Sequence, residues 1–238
     1  FGWSVAVDGD YAVVGAIGDN DNIGKAYVLF YDNTNWIKLA ELTASDGVPL
    51  DYFGYSVGIS GDHIVIGARG DSDNGSSSGS AYVYTKPGTG WVDTSAETAK
   101  LTPSDGAADD YFGHTVGISG DNIVVGAYQD DDNGSNSGSA YVFTKSGISW
   151  VTTTETAKLT PSDGAADDLF GFSVGISSNT IVVGAYQDDD NGSNSGSIYV
   201  YTNPGSGWVT TTSQTAKLTS NDAAVNDFFG KAVGISGD

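Results

Sequence analysis

Residues 112–143 read FGHTVGISGDNIVVGAYQDDDNGSNSGSAYVF, and the chain repeats this stretch with variation from end to end. The opening Phe-Gly recurs as Phe1-Gly2, Phe53-Gly54, Phe112-Gly113, Phe170-Gly171 and Phe229-Gly230, at spacings of 52, 59, 58 and 59 residues. A regular period of this kind marks a repeat architecture, in which one supersecondary unit is copied and stacked. The boundaries fall at about 1–52, 53–111, 112–169 and 170–228, with the start of a fifth copy at 229–238.

Within one copy, short apolar runs are separated by turn chemistry. Phe112, His114, Val116 and Ile118 alternate with Gly113, Thr115, Gly117 and Ser119, the period of a pleated strand with one nearly bare face. Ser119-Gly120-Asp121-Asn122 is a tight-turn cluster leading into Ile123-Val124-Val125-Gly126-Ala127, an unbroken run suited to a strand covered on both faces. Beyond the acidic loop at 128–139, Ala140-Tyr141-Val142-Phe143 predicts a third strand, and the Thr-rich stretch from Trp150 to Leu159 a fourth.

The unit is therefore a four-stranded antiparallel meander, and the fold class is all-β. Tandem meanders close most readily as a β-propeller of four-stranded antiparallel blades, here four complete repeats plus one extra inner strand. The glycine-bearing first strand suits the crowded axis and the Thr-rich fourth strand a solvent-facing edge. A β-solenoid, whose coils are usually much shorter, and an open stack of sheets are the alternatives.

FG-x-S-V, V-V-G-A and G-S-A-Y-V-F together resemble the FG-GAP repeat of integrin α-subunit propellers and of many secreted bacterial proteins, in its bacterial form. The resemblance recurs in four copies and covers essentially the whole chain. It implies a propeller used for recognition or adhesion outside the cell or on its surface, often with calcium in its loops. One departure limits the transfer. The integrin-type calcium loop, D-x-[DN]-x-D-G-x-x-D, lies between the first and second strands, where this chain has only SGDH, SGDN or SSNT. Those connections are too short to wrap an ion.

The chain has 238 residues, enough to bury roughly 70% of its unfolded surface. Its 30 acids against 9 bases give a net charge of −21, and only Glu41, Glu97 and Glu155 among the acids are glutamate. Aspartate suits turns and hard-cation loops, and a solubilising, salt-adapted surface accounts for the excess equally well. The charge argues against nucleic acid or an anionic membrane as partner. Cysteine is absent, which excludes disulfides and thiol catalysis, and no apolar run approaches a membrane span. A closed four-bladed ring has no place for a fifth inner strand. The surplus at 229–238 predicts a longer chain with more blades, or self-association by strand donation to a neighbouring molecule.

The leading candidate site is the loop between strands two and three. Asp19 and Asp21, Asp71 and Asp73, Asp130 and Asp132, and Asp188 and Asp190 recur three and five residues after an alanine, each pair followed by an asparagine. Carboxylates at alternate positions of a bending loop can converge on one calcium ion. The competing reading is a polar loop in which Asp and Asn cap their own backbone. A second acidic cluster precedes each Phe-Gly: Asp46 and Asp51; Asp105, Asp109 and Asp110; Asp163, Asp167 and Asp168; Asp222 and Asp227. It could add ligands from the neighbouring blade or consist of solvated turn residues. Asn74, Asn133 and Asn191 open Asn-Gly-Ser triplets, a glycan-acceptor pattern that is also an ordinary turn pair.

Trp36, Trp91, Trp150 and Trp208 recur at the predicted start of strand four, and Tyr27, Tyr82, Tyr141 and Tyr199 in strand three. Packing between blades is favoured for them over stacking on sugars. His63 and His114 hold non-equivalent places in their repeats, and nothing resembles a nucleophile elbow, phosphate loop or His-metal spacing. The sequence thus predicts a non-enzyme: an extracellular recognition or adhesion propeller whose ligand is a protein or carbohydrate, without membrane insertion. A self-assembling filament or surface-layer protein is the alternative, and an accessory domain of a secreted hydrolase a third reading.

Overall fold

A computed structural model describes residues 1–237. It contains sixteen strands in four antiparallel sheets and, among the described residues, no helix. Blade 1 comprises β1 (Val5–Asp8), β2 (Tyr11–Ala16), β3 (Lys25–Tyr31) and β4 (Trp36–Leu42). Blade 2 has β5 (Ser56–Ser60), β6 (His63–Ala68), β7 (Ser80–Thr85) and β8 (Ala99–Leu101). Blade 3 has β9 (Thr115–Ser119), β10 (Asn122–Ala127), β11 (Ser139–Thr144) and β12 (Ala157–Leu159). Blade 4 has β13 (Phe170–Ser177), β14 (Thr180–Ala185), β15 (Ser197–Thr202) and β16 (Ala216–Leu218). Each sheet is a meander in chain order, a propeller-like set of blades.

The second strands are the unbroken apolar runs, and they are buried on both faces. From Ile123 to Ala127 every residue is buried, because the strand lies between its own hairpin partners and between two neighbouring sheets. The first strand starts later than its alternation predicts. Gly113 has φ +84°, which turns the chain out of the pleat, so that Phe112 drops into the core beneath Phe143 and Tyr141 and regular pairing begins only at Thr115. In blade 4 the strand runs on from Phe170, with a register irregularity between Phe170 and Ser173.

The repeated Phe-Gly and Gly-Ala are the two halves of one junction. Each Phe-Gly of one blade lies against the Gly-Ala of the blade before it, so a Cβ added to Gly15, Gly67, Gly126 or Gly184 would collide with the carbonyl oxygen of Gly54, Gly113, Gly171 or Gly230. Backbone bonds seal the contact. Phe53, Phe112, Phe170 and Phe229 donate N–H to the carbonyls of Ile23, Ser78, Ser137 and Ser195 at 2.8–3.0 Å. The phenylalanines at 53, 112 and 170 are completely buried and knit the cores of adjacent blades, each contributing roughly 1.5–3 kcal/mol by the transfer scale.

The Thr-rich segment departs from its predicted place. Only Ala157–Leu159 pairs within blade 3, whereas Thr153 bridges Leu101 of the preceding blade, and Thr94 and Thr211 do the same to Leu42 and Leu159. Alternating threonines specify extended backbone but not a partner, and the nearest unpaired edge belongs to the neighbour. That edge is thereby covered rather than left to solvent. In blade 1 the predicted long fourth strand is present, Trp36–Leu42, with an irregularity opposite Val28 and Leu29.

The surplus segment forms no strand among its described residues. Residues 229–237 lie against blade 4 as an inner strand would: Ser173 Oγ donates to Gly230 O at 2.7 Å, Ser177 Oγ to Gly237 O at 3.2 Å, and Ile235 packs over Gly175. The segment's last residue, Asp238, lies outside the described residues. On blade 1 the matching side chains of Phe1, Trp3, Val5 and Val7 are exposed.

Candidate functional site

Meander topology puts the loops between strands two and three, together with the connections into each next blade, at one end of the sheets. There the two predicted acidic clusters meet. In blade 2 the chain turns after Ala68 so that Asp71 Oδ1 accepts the N–H of Asp73 at 3.1 Å and Asp71 O accepts that of Gly79 at 2.8 Å. Asp130 and Asp188 repeat both contacts. Backbone capping by Asp is therefore present, and it leaves the second oxygen, Oδ2, pointing inward.

What that oxygen meets is a lysine and a tyrosine. Lys100 Nζ lies 3.1 Å from Asp71, 2.7 Å from Asp46 and 2.5 Å from Asp73, while the Tyr82 hydroxyl lies 2.7 Å from Asp71 and 2.9 Å from Asp46. Lys158 pairs with Asp105 at 2.7 Å, Asp130 at 3.3 Å and Asp132, with Tyr141 bridging Asp130 and Asp105. Lys217 pairs with Asp163 at 2.7 Å, Asp188 at 3.1 Å and Asp190, with Tyr199 bridging Asp188 and Asp163. Each ammonium stands 4.9–5.1 Å from the centre of its tyrosine ring. Asp71, Asp130 and Asp188 are buried, and the lysine side chains are only 12, 11 and 15% exposed.

Blade 1 reaches the same arrangement with the charges exchanged. Glu41 pairs across the sheet with Tyr27 where Lys100 pairs with Tyr82, and Lys25 stands where Ser80, Ser139 and Ser197 stand in the other blades. Lys25 Nζ joins Asp19 at 3.2 Å and Glu41 at 3.3 Å, and Lys38 adds a second contact to Glu41 at 2.6 Å. Asp21 has φ +57° and takes no part in those pairs.

The predicted acids thus divide by role. Asp46, Asp105 and Asp163 of the inter-blade connections join the loop acids, and Asp73, Asp132 and Asp190 close each set. Asp51, Asp110 and Asp168 instead cap their own turns, accepting the N–H of Val48, Ala107 and Ala165 at 2.6–2.7 Å. Asp227 does the same for Ala224 at 2.6 Å, while Asp222 turns to Ser220. Asp109 and Asp167 take positive φ, and Asp167 accepts from Asn136 at 2.9 Å. The carboxylates of Asp46, Asp71 and Asp73, and of Asp105, Asp130 and Asp132, lie within 4.8 Å of one another, close enough that such clusters could hold a metal ion.

Electrostatics separates the two kinds of acid. Burial pushes the carboxyls of Asp51, Asp110 and Asp168 up to about 6, and the nearby charges of Asp71, Asp130 and Asp188 add to the shift. Burial acts the same way on Asp46, Asp105 and Asp163, but the lysine ammonium and tyrosine hydroxyl outweigh it and hold them below the ordinary carboxylate range. For Lys100, Lys158 and Lys217 burial favours the neutral amine and the surrounding carboxylates overcome it, raising all three. Two acid-lined pockets open beside these sets, one of ≈ 390 Å³ bounded by Asp105, Asp110 and Asp130–Asp132, the other of ≈ 250 Å³ bounded by Asp163, Asp168 and Asp188–Asp190.

The lysines and the tyrosine hydroxyls are what a search for acidic motifs passes over. Their signal is nonetheless in the sequence: T-A-K-L-T recurs with Lys100, Lys158 and Lys217, in a chain with few bases. Asn74, Asn133 and Asn191 are exposed on the same loops, their N–H groups donated to Ser78, Ser137 and Ser195. Trp91, Trp150 and Trp208 are buried, as inter-blade packing requires, whereas Trp36 is 48% exposed and leans on Tyr31.

A column of side chains, Trp3, Tyr55, His114 and Phe172, runs along the inner strands at ring separations of 4.6–5.3 Å. His114 belongs to it structurally, with burial pushing the imidazole down to about 4 and Arg69 adding to the effect. Arg69 lies 4.1 Å over the Tyr55 ring at the edge of a ≈ 400 Å³ pocket shared with Tyr52 and Tyr111. His63 sits elsewhere, 3.1 Å from Thr85 Oγ1.

A comparison with known proteins agrees with this architecture. The family model described as FG-GAP repeat matches residues 1–30, 36–84, 96–143, 153–201 and 212–238, and no curated protein matches the chain. Repeats of this family are associated with propeller recognition and adhesion domains, are generally non-catalytic and are typical of extracellular or surface proteins. Among the described residues no helix is long and apolar enough to cross a membrane. With the Phe-Gly of each blade seated on the Gly-Ala of the last, and the family pattern matched in five segments along its length, the chain belongs to the FG-GAP repeat family.

Proposed function

We propose that this chain is a non-catalytic recognition or adhesion module of the cell exterior, meeting a protein or carbohydrate partner with the end of the blades that carries the loops between strands two and three. The observation that supports this most directly is the repetition of one acidic loop end in successive blades, with acid-lined pockets at 105–110 and 130–132 and at 163–168 and 188–190, and a pocket of mixed lining at 48–52 and 69–77. Stiff strands hold these loops, and interactions through loops on a rigid scaffold are the usual way such folds bind. The high acid content disfavours nucleic acid as the partner. Calcium would compete with a lysine for the carboxylates of Asp46, Asp71 and Asp73, and of Asp105, Asp130 and Asp132.

Self-assembly is a second reading, supported by residues 229–237, which lie along blade 4 as an inner strand does without pairing in a sheet. Electron microscopy of the full-length protein separates the two. Discrete particles, retained when residues 229–237 are removed, are the expected outcome for a recognition module. Filaments or sheets that vanish on that deletion would replace it with the structural role.

A further inference from the structure

We propose that Lys100, Lys158 and Lys217, and Lys25 in blade 1, are the resident cations of the blade loops, and that blade cohesion in this chain needs no divalent metal. This inference does not rest on the recognition reading, since it concerns only what neutralises the loops.

Geometry carries the first step. In three blades the ammonium lies among carboxylates drawn from two separate connections, and its 2.7 Å distances to Asp46, Asp105 and Asp163 are those of charge-assisted hydrogen bonds. The surroundings are built for it: a tyrosine ring lies beneath each ammonium, and the same tyrosine hydroxyl bridges two of the acids. The donor set carries the second step. Calcium asks for six to eight oxygens, yet Asp71 Oδ1 is engaged by the Asp73 N–H, and Asp71 Oδ2 by Tyr82 and Lys100. With the lysine in place both oxygens of Asp71 are already engaged. Removing the lysine would free three carboxylates within a sphere that suits one.

Blade 1 supplies the third step. There the strand-four position carries an acid and the strand-three position a base, so both residues differ from the other blades, yet an ammonium still joins the loop acid to strand four. The constant feature across four blades is a tethered positive charge, whichever strand supplies it. A tethered ammonium is already ordered by its backbone and does not depend on the free concentration of an ion.

The test is thermal unfolding of the whole chain, and of Lys158→Met and Lys158→Arg variants, each in millimolar calcium and in excess chelator. The wild type is expected to melt at the same temperature in both, and Lys158→Arg to follow it. Lys158→Met is expected to melt several degrees lower in chelator and to recover much of the loss in calcium, the metal then entering the vacated triad. A wild-type melting temperature that falls on chelation would overturn the proposal. So would a Lys158→Met variant as stable as wild type in chelator, or one that calcium leaves unimproved. Should that variant not fold, the wild-type and Lys158→Arg measurements decide alone.

Discussion

Asp110 shows how one carboxyl can be useful to its turn and costly to the fold. It caps the Ala107 N–H, but its environment raises its pKa to about 6, above the ordinary value near 4, so the folded chain holds this proton more tightly than the unfolded one. Stability is therefore gained as pH falls through 6 toward 4, the window in which folded protein binds the extra proton. Asp51 and Asp168 act alike. The lysine-paired Asp46, Asp105 and Asp163 work in the opposite sense. Their contribution is present above the ordinary carboxylate range and is lost only in stronger acid. The melting temperature should accordingly be higher at pH 5 than at pH 7.5. In Asp110→Asn, which keeps the accepting oxygen, that difference should shrink, by on the order of 1–2 kcal/mol expressed as stability. Calorimetry across pH checks it, and an unchanged difference would mean Asp110 titrates normally.

Glycine placement decides whether two blades can meet. At Gly126 an alanine methyl would collide with the Gly171 carbonyl and the Thr115 side chain, and neither neighbour is a free chain end. Gly126→Ala is expected to cost about 3 kcal/mol or more, read as a lower urea midpoint. Gly88, with nothing near its missing Cβ and an ordinary φ, should accept alanine with a change of ~0.5 kcal/mol or less. These elements were legible in the sequence to unequal depth. The run from Ile123 to Ala127 declared a doubly covered strand, and Phe-Gly with Gly-Ala declared a repeat, because burial on both faces and close approach each restrict residue type. Trp150 to Leu159 declared only extended backbone, and which edge it pairs with depends on a neighbour some fifty residues away. The acids at 130 and 132 were legible as convergent. Lys158 was not, since a lysine in an outer strand reads as an edge guard until its partner loop is placed beside it.

Charge sets the behaviour of the whole molecule. The 30 acids are only partly answered by 9 bases, which leaves a net −21, and many aspartates remain exposed at one end of the blades. Their mutual repulsion opposes the compact fold and is screened by salt, whereas the pairs of Lys100 with Asp71, Lys158 with Asp130 and Lys217 with Asp188 are shielded from solvent and less sensitive to it. Raising sodium chloride from low to moderate concentration should therefore raise the melting temperature. A fall would show that ion pairs outweigh the repulsion and that the acidic surface is not a source of strain.

Adjacent blades are clasped twice. Near the inner strands Phe112 N–H meets Ser78 O, and at the outer edge the Thr94 and Thr211 segments reach back to Glu41, Thr43, Lys158 and Thr160 with bonds of 3.0–3.2 Å. Two clasps at different radii leave no line about which one sheet can swing on the next. The four sheets should then flex like a laminated spring, sharing load, and a pull on one would be felt at the others before any single blade opened.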